Sequence, residues 1–174
     1  MNLFFLIAFT LCLVSYIVHT VPHFYENSER EYASSKTVEV IITIIVFIGY
    51  SAWVFMIFSD PIKMEVNKYV AVPLGLLIGI AGFAMFVISA IAKIGFSELD
   101  HLVTKGIYSR IRNPMYLGII LLHIGFPIAA RSLLTLASAI IWIPIILVWR
   151  YMEDKRLARK FGSEYLEYKA QTFF

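Results

Sequence analysis

Five stretches of this chain, residues 2–21, 37–58, 69–92, 114–130 and 132–150, run almost without charge for the length of a membrane crossing. A helix rises about 1.5 Å per residue and the hydrocarbon core of a bilayer is about 30 Å thick, so about 20 apolar residues span it. A helix is also the one single-segment solution that pairs every backbone amide within lipid. The pattern therefore predicts an all-α integral membrane protein of five transmembrane helices. With 174 residues there is little room left for a soluble domain, and one domain over residues 1–174 is expected. Composition agrees: 16% of residues are charged, against about a quarter in soluble domains, and the mean hydropathy is +0.78. The first apolar run lacks a basic flank and a clear small-residue cleavage site, so it reads as a retained helix rather than a signal peptide. The lone Cys12 lies inside that run and leaves no disulfide framework to consider.

The basic residues are distributed unevenly about these five runs. Twelve of them, Arg30, Lys36, Lys93, Lys105, Arg110, Arg112, Arg150, Lys155, Arg156, Arg159, Lys160 and Lys169, fall on one side, and only Lys63, Lys68 and Arg131 on the other. The positive-inside rule then predicts an external amino terminus and a cytoplasmic carboxyl-terminal tail.

Between the runs, residues 22–36 mix acidic and basic side chains (Glu26, Glu29, Arg30, Glu31) and read as a cytoplasmic linker, while Pro61 ends the second helix after Ser59–Asp60. Gly75, Gly79 and Gly82 set a small-residue stripe on the third run, the spacing that lets helix backbones approach closely in lipid. Residues 93–113 are too polar to span and long for a simple connection, which in a compact protein points to function. Pro114 suits the first turn of a helix. Only the region around Ala130–Arg131–Ser132 separates the fourth and fifth runs, so they are expected to form a tight hairpin that returns residues 112–116 and 150–154 to one membrane face. Beyond Tyr151, Leu157, Phe161, Tyr165 and Tyr168 recur at helical spacing. Gly162 interrupts that stripe, with Ser163 placed to cap a renewed turn. The stripe also suits a helix lying on the membrane, its basic residues against anionic headgroups.

Two polar segments thus bracket the last hairpin, and they hold the chain's densest grouping of Arg, acidic and Tyr side chains. The first, residues 102–118, reads LVTKGIYSRIRNPMYLG; the second, 153–168, reads EDKRLARKFGSEYLEY. Their order and spacing resemble the integral membrane methyltransferases of the isoprenylcysteine carboxyl methyltransferase and phospholipid methyltransferase superfamily, whose pattern is approximately GxYxxxRHPxYxG followed by EExxLxxxFGxxYxxY. The resemblance covers residues 99–170. Asn113 stands where the pattern has His, and Asp154 where it has the second Glu; Asn keeps hydrogen-bonding capacity but cannot titrate, and Asp keeps the charge on a shorter stem.

The resemblance implies methyl transfer from S-adenosyl-L-methionine to a lipophilic acceptor that enters from the bilayer, with the cofactor held in the cytoplasmic tail region. On that footing Arg112 is expected to pair with the cofactor carboxylate, Glu153 or Asp154 to receive its ammonium or ribose hydroxyls, and Leu102, Val103, Tyr108 and Tyr116 to enclose its adenine or methionine portion. Asn113 and Pro114 complete the expected cofactor-binding set. Arg112 and Arg150 are the candidate catalytic residues, Arg150 by orienting an acceptor carboxylate or, alternatively, by snorkelling to headgroups. A carboxylate acceptor needs no general base, whereas an amine must lose a proton. Carboxyl methylation of an isoprenylcysteine is the nearest reading and N-methylation of an aminophospholipid the runner-up. A membrane sterol reductase using NADPH is the alternative from another reaction class; the short chain and acidic pair favour the sulfonium cofactor. The sequence leaves the acceptor and the oligomeric state open.

Other polar groups point less sharply. His123 lies within the fourth run, seven residues after Tyr116, and is expected to be a neutral imidazole hydrogen-bonded to a neighbouring helix. His19 and His23 have a metal-like spacing, but Pro22 intervenes and no acidic residue joins them, so no metal is expected. No phosphate-binding glycine loop, catalytic serine motif or nucleic-acid signature is present.

Overall fold

The computed structural model describes residues 2–27, 36–94 and 101–174. Among them the chain is helical: α1 (Leu3–Asn27), α2 (Lys36–Ser59), α3 (Lys68–Ile94), a 3-10 turn (Gly106–Ser109), α4 (Pro114–Ala130), α5 (Leu133–Ala137) and α6 (Ala139–Gln171). Four helical segments, 3–24, 36–59, 68–92 and 133–171, are long and apolar enough to cross a membrane. The remaining apolar helix, α4, has 17 residues, a length of about 26 Å.

Helix α1 continues through Pro22 to Asn27, past the point where a linker was expected. Proline is tolerated in apolar helices because neighbouring groups satisfy the carbonyl it frees. The rest of that linker, residues 28–35, lies outside the described residues, as do residues 95–100 of the polar stretch before α4. Helix α6 (Ala139–Gln171) carries the chain on into the tail, and Gly162 interrupts it as expected: with φ of 55° and ψ of −126° it is non-helical, and two helical stretches meet there at a kink. Only glycine takes such a backbone conformation without strain.

Helices α3 and α4 form the most extensive pair, and glycine is the reason. A Cβ on Gly82 would stand 2.7 Å from the Gly118 carbonyl oxygen, and one on Gly75 or Gly125 would meet the backbone of the opposite helix. The expected stripe on α3 therefore has a counterpart, Gly118 and Gly125, on α4. Helices α1 and α2 pair through Gly49, where an added Cβ would collide with the Ser15 side chain. Helix α6 contacts both α1 and α4, while α2 and α3 barely touch although they are consecutive.

The shared core is aromatic. Cys12 and Tyr16 of α1, Trp53 and Met56 of α2, Tyr116 and Ile119 of α4, and Trp142, Ile146 and Trp149 of α6 form one buried cluster. The Tyr16 ring lies 4.9 Å from Trp142 and 5.1 Å from Trp149, centroid to centroid. Its hydroxyl is 2.8 Å from His123 Nε2, and His123 Nδ1 is 2.8 Å from the Ile119 carbonyl oxygen. A carbonyl can only accept, so Nδ1 carries the imidazole proton and Nε2 accepts from Tyr16. His123 is thus a neutral bridge between α4 and α1. His23 stacks on Trp149 and His19 meets both rings edge-on, and among the described residues no group of three or more His, Cys, Asp or Glu could hold a metal ion.

The turn after α4 is more elaborate than the expected tight hairpin. Arg131 adopts a left-handed conformation (φ 55°), and the short α5 precedes α6. Buried Asp60 anchors this turn: its Oδ2 accepts from the Thr135 amide and hydroxyl, both at 2.8 Å. Met64 N donates to Arg131 O and Leu133 N to Ile62 O, at 2.7 and 3.0 Å. The connection between α2 and α3 is thereby latched to the hairpin at the end of the bundle opposite the two polar motifs.

Candidate active site

The two motif segments meet at one end of the bundle, and Asp154 is the hub between them. It lies one turn beyond Arg150, where α6 leaves its apolar part. Its Oδ1 accepts from Arg112 Nε at 3.2 Å, Asn113 Nδ2 at 3.0 Å and the Tyr165 hydroxyl at 2.5 Å, while Oδ2 accepts from Arg112 Nη2 at 3.3 Å. Lys169 Nζ stands 3.5 Å and Arg150 Nη2 3.9 Å from Oδ2. Arg112 Nη1 donates in turn to the Lys169 and Thr172 carbonyls, each at 3.4 Å. The guanidinium fork expected to hold a cofactor carboxylate is therefore bidentate to a carboxylate of the chain itself. Arg112 and Asp154 join the start of α4 to the far end of α6.

The two departures from the family pattern touch each other. Asn113 spends one amide hydrogen on Asp154 and the other on the Phe174 carbonyl, 3.1 Å away. The shorter acid and the neutral amide form one coupled unit. Asn113→His and Asp154→Glu should therefore each destabilise alone and compensate in combination, with a coupling of about 0.5–3 kcal/mol in a double-mutant cycle. Thermal unfolding of the four proteins in detergent measures this, and additive effects would show the two positions to be independent.

Residues after the second motif, which carry no motif of their own, complete the arrangement. Phe173 N donates to Arg110 O and Arg112 N to Phe173 O, both at 2.9 Å. These bonds make a single parallel rung between Ile111 and Phe173. The Phe174 ring lies 4.4 Å from the Arg150 guanidinium, a cation–π contact. Arg150 is held against this ring, and its buried Nε has no hydrogen-bond partner among the described residues.

Tyr108, in the 3-10 turn, is buried and donates to the Ser89 carbonyl of α3 at 3.5 Å, while Tyr168 donates to the Tyr108 carbonyl at 2.7 Å. Burial pushes the Tyr108 phenol up to about 12, helped by the negative charge of Glu153. Burial likewise lifts Tyr168 to about 12, and Tyr165 is raised by burial and by its bond to Asp154. All three are neutral donors at physiological pH. Burial alone would raise the Asp154 carboxyl, but the hydrogen bonds from Tyr165, Asn113 and Arg112 and the Arg112 charge outweigh it and hold the pKa below its ordinary 3.8. Glu153 is buried beside these groups. Leu102 and Val103 are half-buried on the strand of chain entering the 3-10 turn. Pro114 opens α4, and Tyr116, one turn in, is part of the aromatic core.

Apolar helices that carry a buried Arg–Asp–Asn–Tyr cluster at one end define an integral membrane protein with a polar site at its margin. A model of the phospholipid methyltransferase family matches residues 68–164, more than half of the chain, and the protein belongs to this family of membrane methyltransferases. Comparison with curated proteins and with solved structures gives no match.

Proposed function

We infer that the protein transfers a methyl group from S-adenosyl-L-methionine to a lipophilic acceptor drawn from the bilayer, on the basic, cytoplasmic side of five spanning helices. The observation that carries this reading is the Asp154 hub, which ties Arg112 and Asn113 before α4 to Arg150 and Tyr165 of α6 beside an apolar bundle, Asp154, Arg112, Asn113 and Arg150 lying within the residues matched by the family. When bound, the cofactor supplies an electrophilic methyl on a positively charged sulfur. The donor set suits it. Glu153 can receive the ammonium or ribose hydroxyls, and Tyr108 with Leu102 and Val103 can enclose the adenine. No metal is called for.

We assign the candidate residues two roles. Arg112, Asn113 and Asp154 act as positioning residues, since their polar groups are spent within the chain and fix the loop before α4, and Pro114 starts that helix. Tyr116 supports them from the core. Arg150 is the residue for chemistry: a buried guanidinium Nε without an acceptor is costly, and an acceptor carboxylate would satisfy it. Such an acceptor arrives ionised, so its oxygen takes the methyl carbon and the sulfur keeps the bonding pair, with no proton to remove. The nearest reading is accordingly carboxyl methylation of an isoprenylcysteine. The description of the matching family favours a second reading, N-methylation of an aminophospholipid, which would need a base to take the ammonium proton.

Methyl-transfer assays with a prenylated thiol acid and with an aminophospholipid separate the two. Arg150→Ala should raise KM for the thiol acid about 10–100-fold, the loss of a charged hydrogen bond, with S-adenosylhomocysteine affinity within about twofold. Unchanged kinetics in this variant would remove Arg150 from the reaction, and turnover of the phospholipid alone would establish the second reading.

A further inference from the structure

A cavity of about 740 Å³ lies between α2, α3 and α4, and no polar atom faces it. It exists because α2 and α3 barely touch, so the space between them is open towards lipid and closed at the back by α4. A headgroup or water would find no hydrogen-bond partner there, and the chemistry of the wall admits only hydrocarbon.

The groove is aligned with the candidate site along two helices. On α4 its wall is Ile119, Leu122 and Phe126; one turn earlier on the same face stands Tyr116, and then the Arg112–Asn113 loop. On α3 its wall includes Phe86; one turn further is Ser89, whose carbonyl accepts from Tyr108. From Tyr116 to Ala130, at the groove's far end, α4 covers about 21 Å. That exceeds half of the roughly 30 Å hydrocarbon core. A chain seated in the groove with its head at the site would pass the bilayer midplane.

We propose that this groove is the binding site for one long hydrocarbon chain of the methyl acceptor, and that it measures acceptor chain length. The proposal rests on the methyltransferase reading above. Lipid tails are as apolar as the groove, so selection comes from fit and packing rather than from removal from water. Filling the groove should therefore hurt long acceptors and spare short ones. Val54 and Leu76 line it from α2 and α3 and are 46% and 40% exposed, so a larger side chain at either position has room to turn into the space.

The test uses the full-length protein, Val54→Trp and Leu76→Trp, with short- and long-chain S-alkyl thiol acids and phosphatidylethanolamines, and a long-chain acceptor bearing a diazirine near its end. Both variants should lower kcat/KM for long-chain acceptors about tenfold, the effect of a misfit in an apolar pocket. Short-chain acceptors and S-adenosylhomocysteine affinity should stay within about twofold. In the unaltered protein the diazirine should label the walls of α2 and α4. Unchanged long-chain kinetics in both variants, or labelling confined to other faces, would overturn the groove. Labelling of the groove without methyl transfer to any acceptor would instead overturn the methyltransferase reading and leave the chain site standing.

Discussion

Asp154→Ala should cost about 3–5 kcal/mol of stability, the penalty for removing one partner of a buried ion pair. Both carboxylate oxygens are engaged, and the side chains of Arg112 and Asp154 are 6% and 7% exposed. Removing the acid takes two of the four hydrogen bonds of a buried guanidinium and also strips partners from Asn113 and Tyr165. The loss reads as a lowered unfolding temperature in detergent, together with release of the 172–174 segment, which Arg112 and Asn113 hold. The pH dependence follows from the same bonds. Because the folded pKa of Asp154 lies below its ordinary 3.8, its contribution is complete above that value and is lost as pH falls through the lower one. A loss within about 1 kcal/mol, the worth of an ordinary hydrogen bond, would mean that the hub does not join the two motifs.

Gly125→Ala should be nearly as damaging, for a steric reason. The new methyl would overlap the Gly79 backbone of α3 and stand 2.8 Å from the Gly75 carbonyl oxygen, and neither can move without separating the helices. Overpacking costs about 1–3 kcal/mol and occasionally more, and a backbone collision belongs at the upper end. Gly79→Ala is the informative comparison. The three atoms nearest its Cβ all belong to the Phe126 ring, at 2.9–3.2 Å, and a side chain can rotate aside. Thermal unfolding should rank Gly125→Ala well below Gly79→Ala. Equal effects would show that the α3–α4 interface yields more easily than its geometry indicates.

Much of this was legible in the chain, for identifiable reasons. Apolar run length and Pro114 place α4 at residues 114–130 as observed, and the Gly75–Gly79–Gly82 stripe lies where α3 meets its neighbour. The motif pair converges as the short connection requires. Other features depend on three-dimensional closure. Tyr165 and Tyr168 showed a helical stripe, but spacing defines a face and not what the face meets; only the change of direction at Gly162 brings Tyr165 onto Asp154. Arg112 belongs to the expected site, yet its bidentate partner was expected to be a ligand and is Asp154. Phe173 and Phe174 carry no motif at all, because their role rests on backbone bonds to Arg110 and Arg112 and on a ring over Arg150. The linker was expected to begin at Pro22, and α1 runs on through that residue to Asn27.

The central claim is that the region around Glu153 and Tyr108 holds a sulfonium cofactor, and calorimetry of the detergent-solubilised protein tests it most directly. S-adenosylhomocysteine should bind at one site and NADPH should not. Glu153→Ala should weaken binding about tenfold or more, as expected for a charged hydrogen bond. Binding of NADPH with no binding of S-adenosylhomocysteine, or an affinity indifferent to Glu153→Ala, would contradict the account.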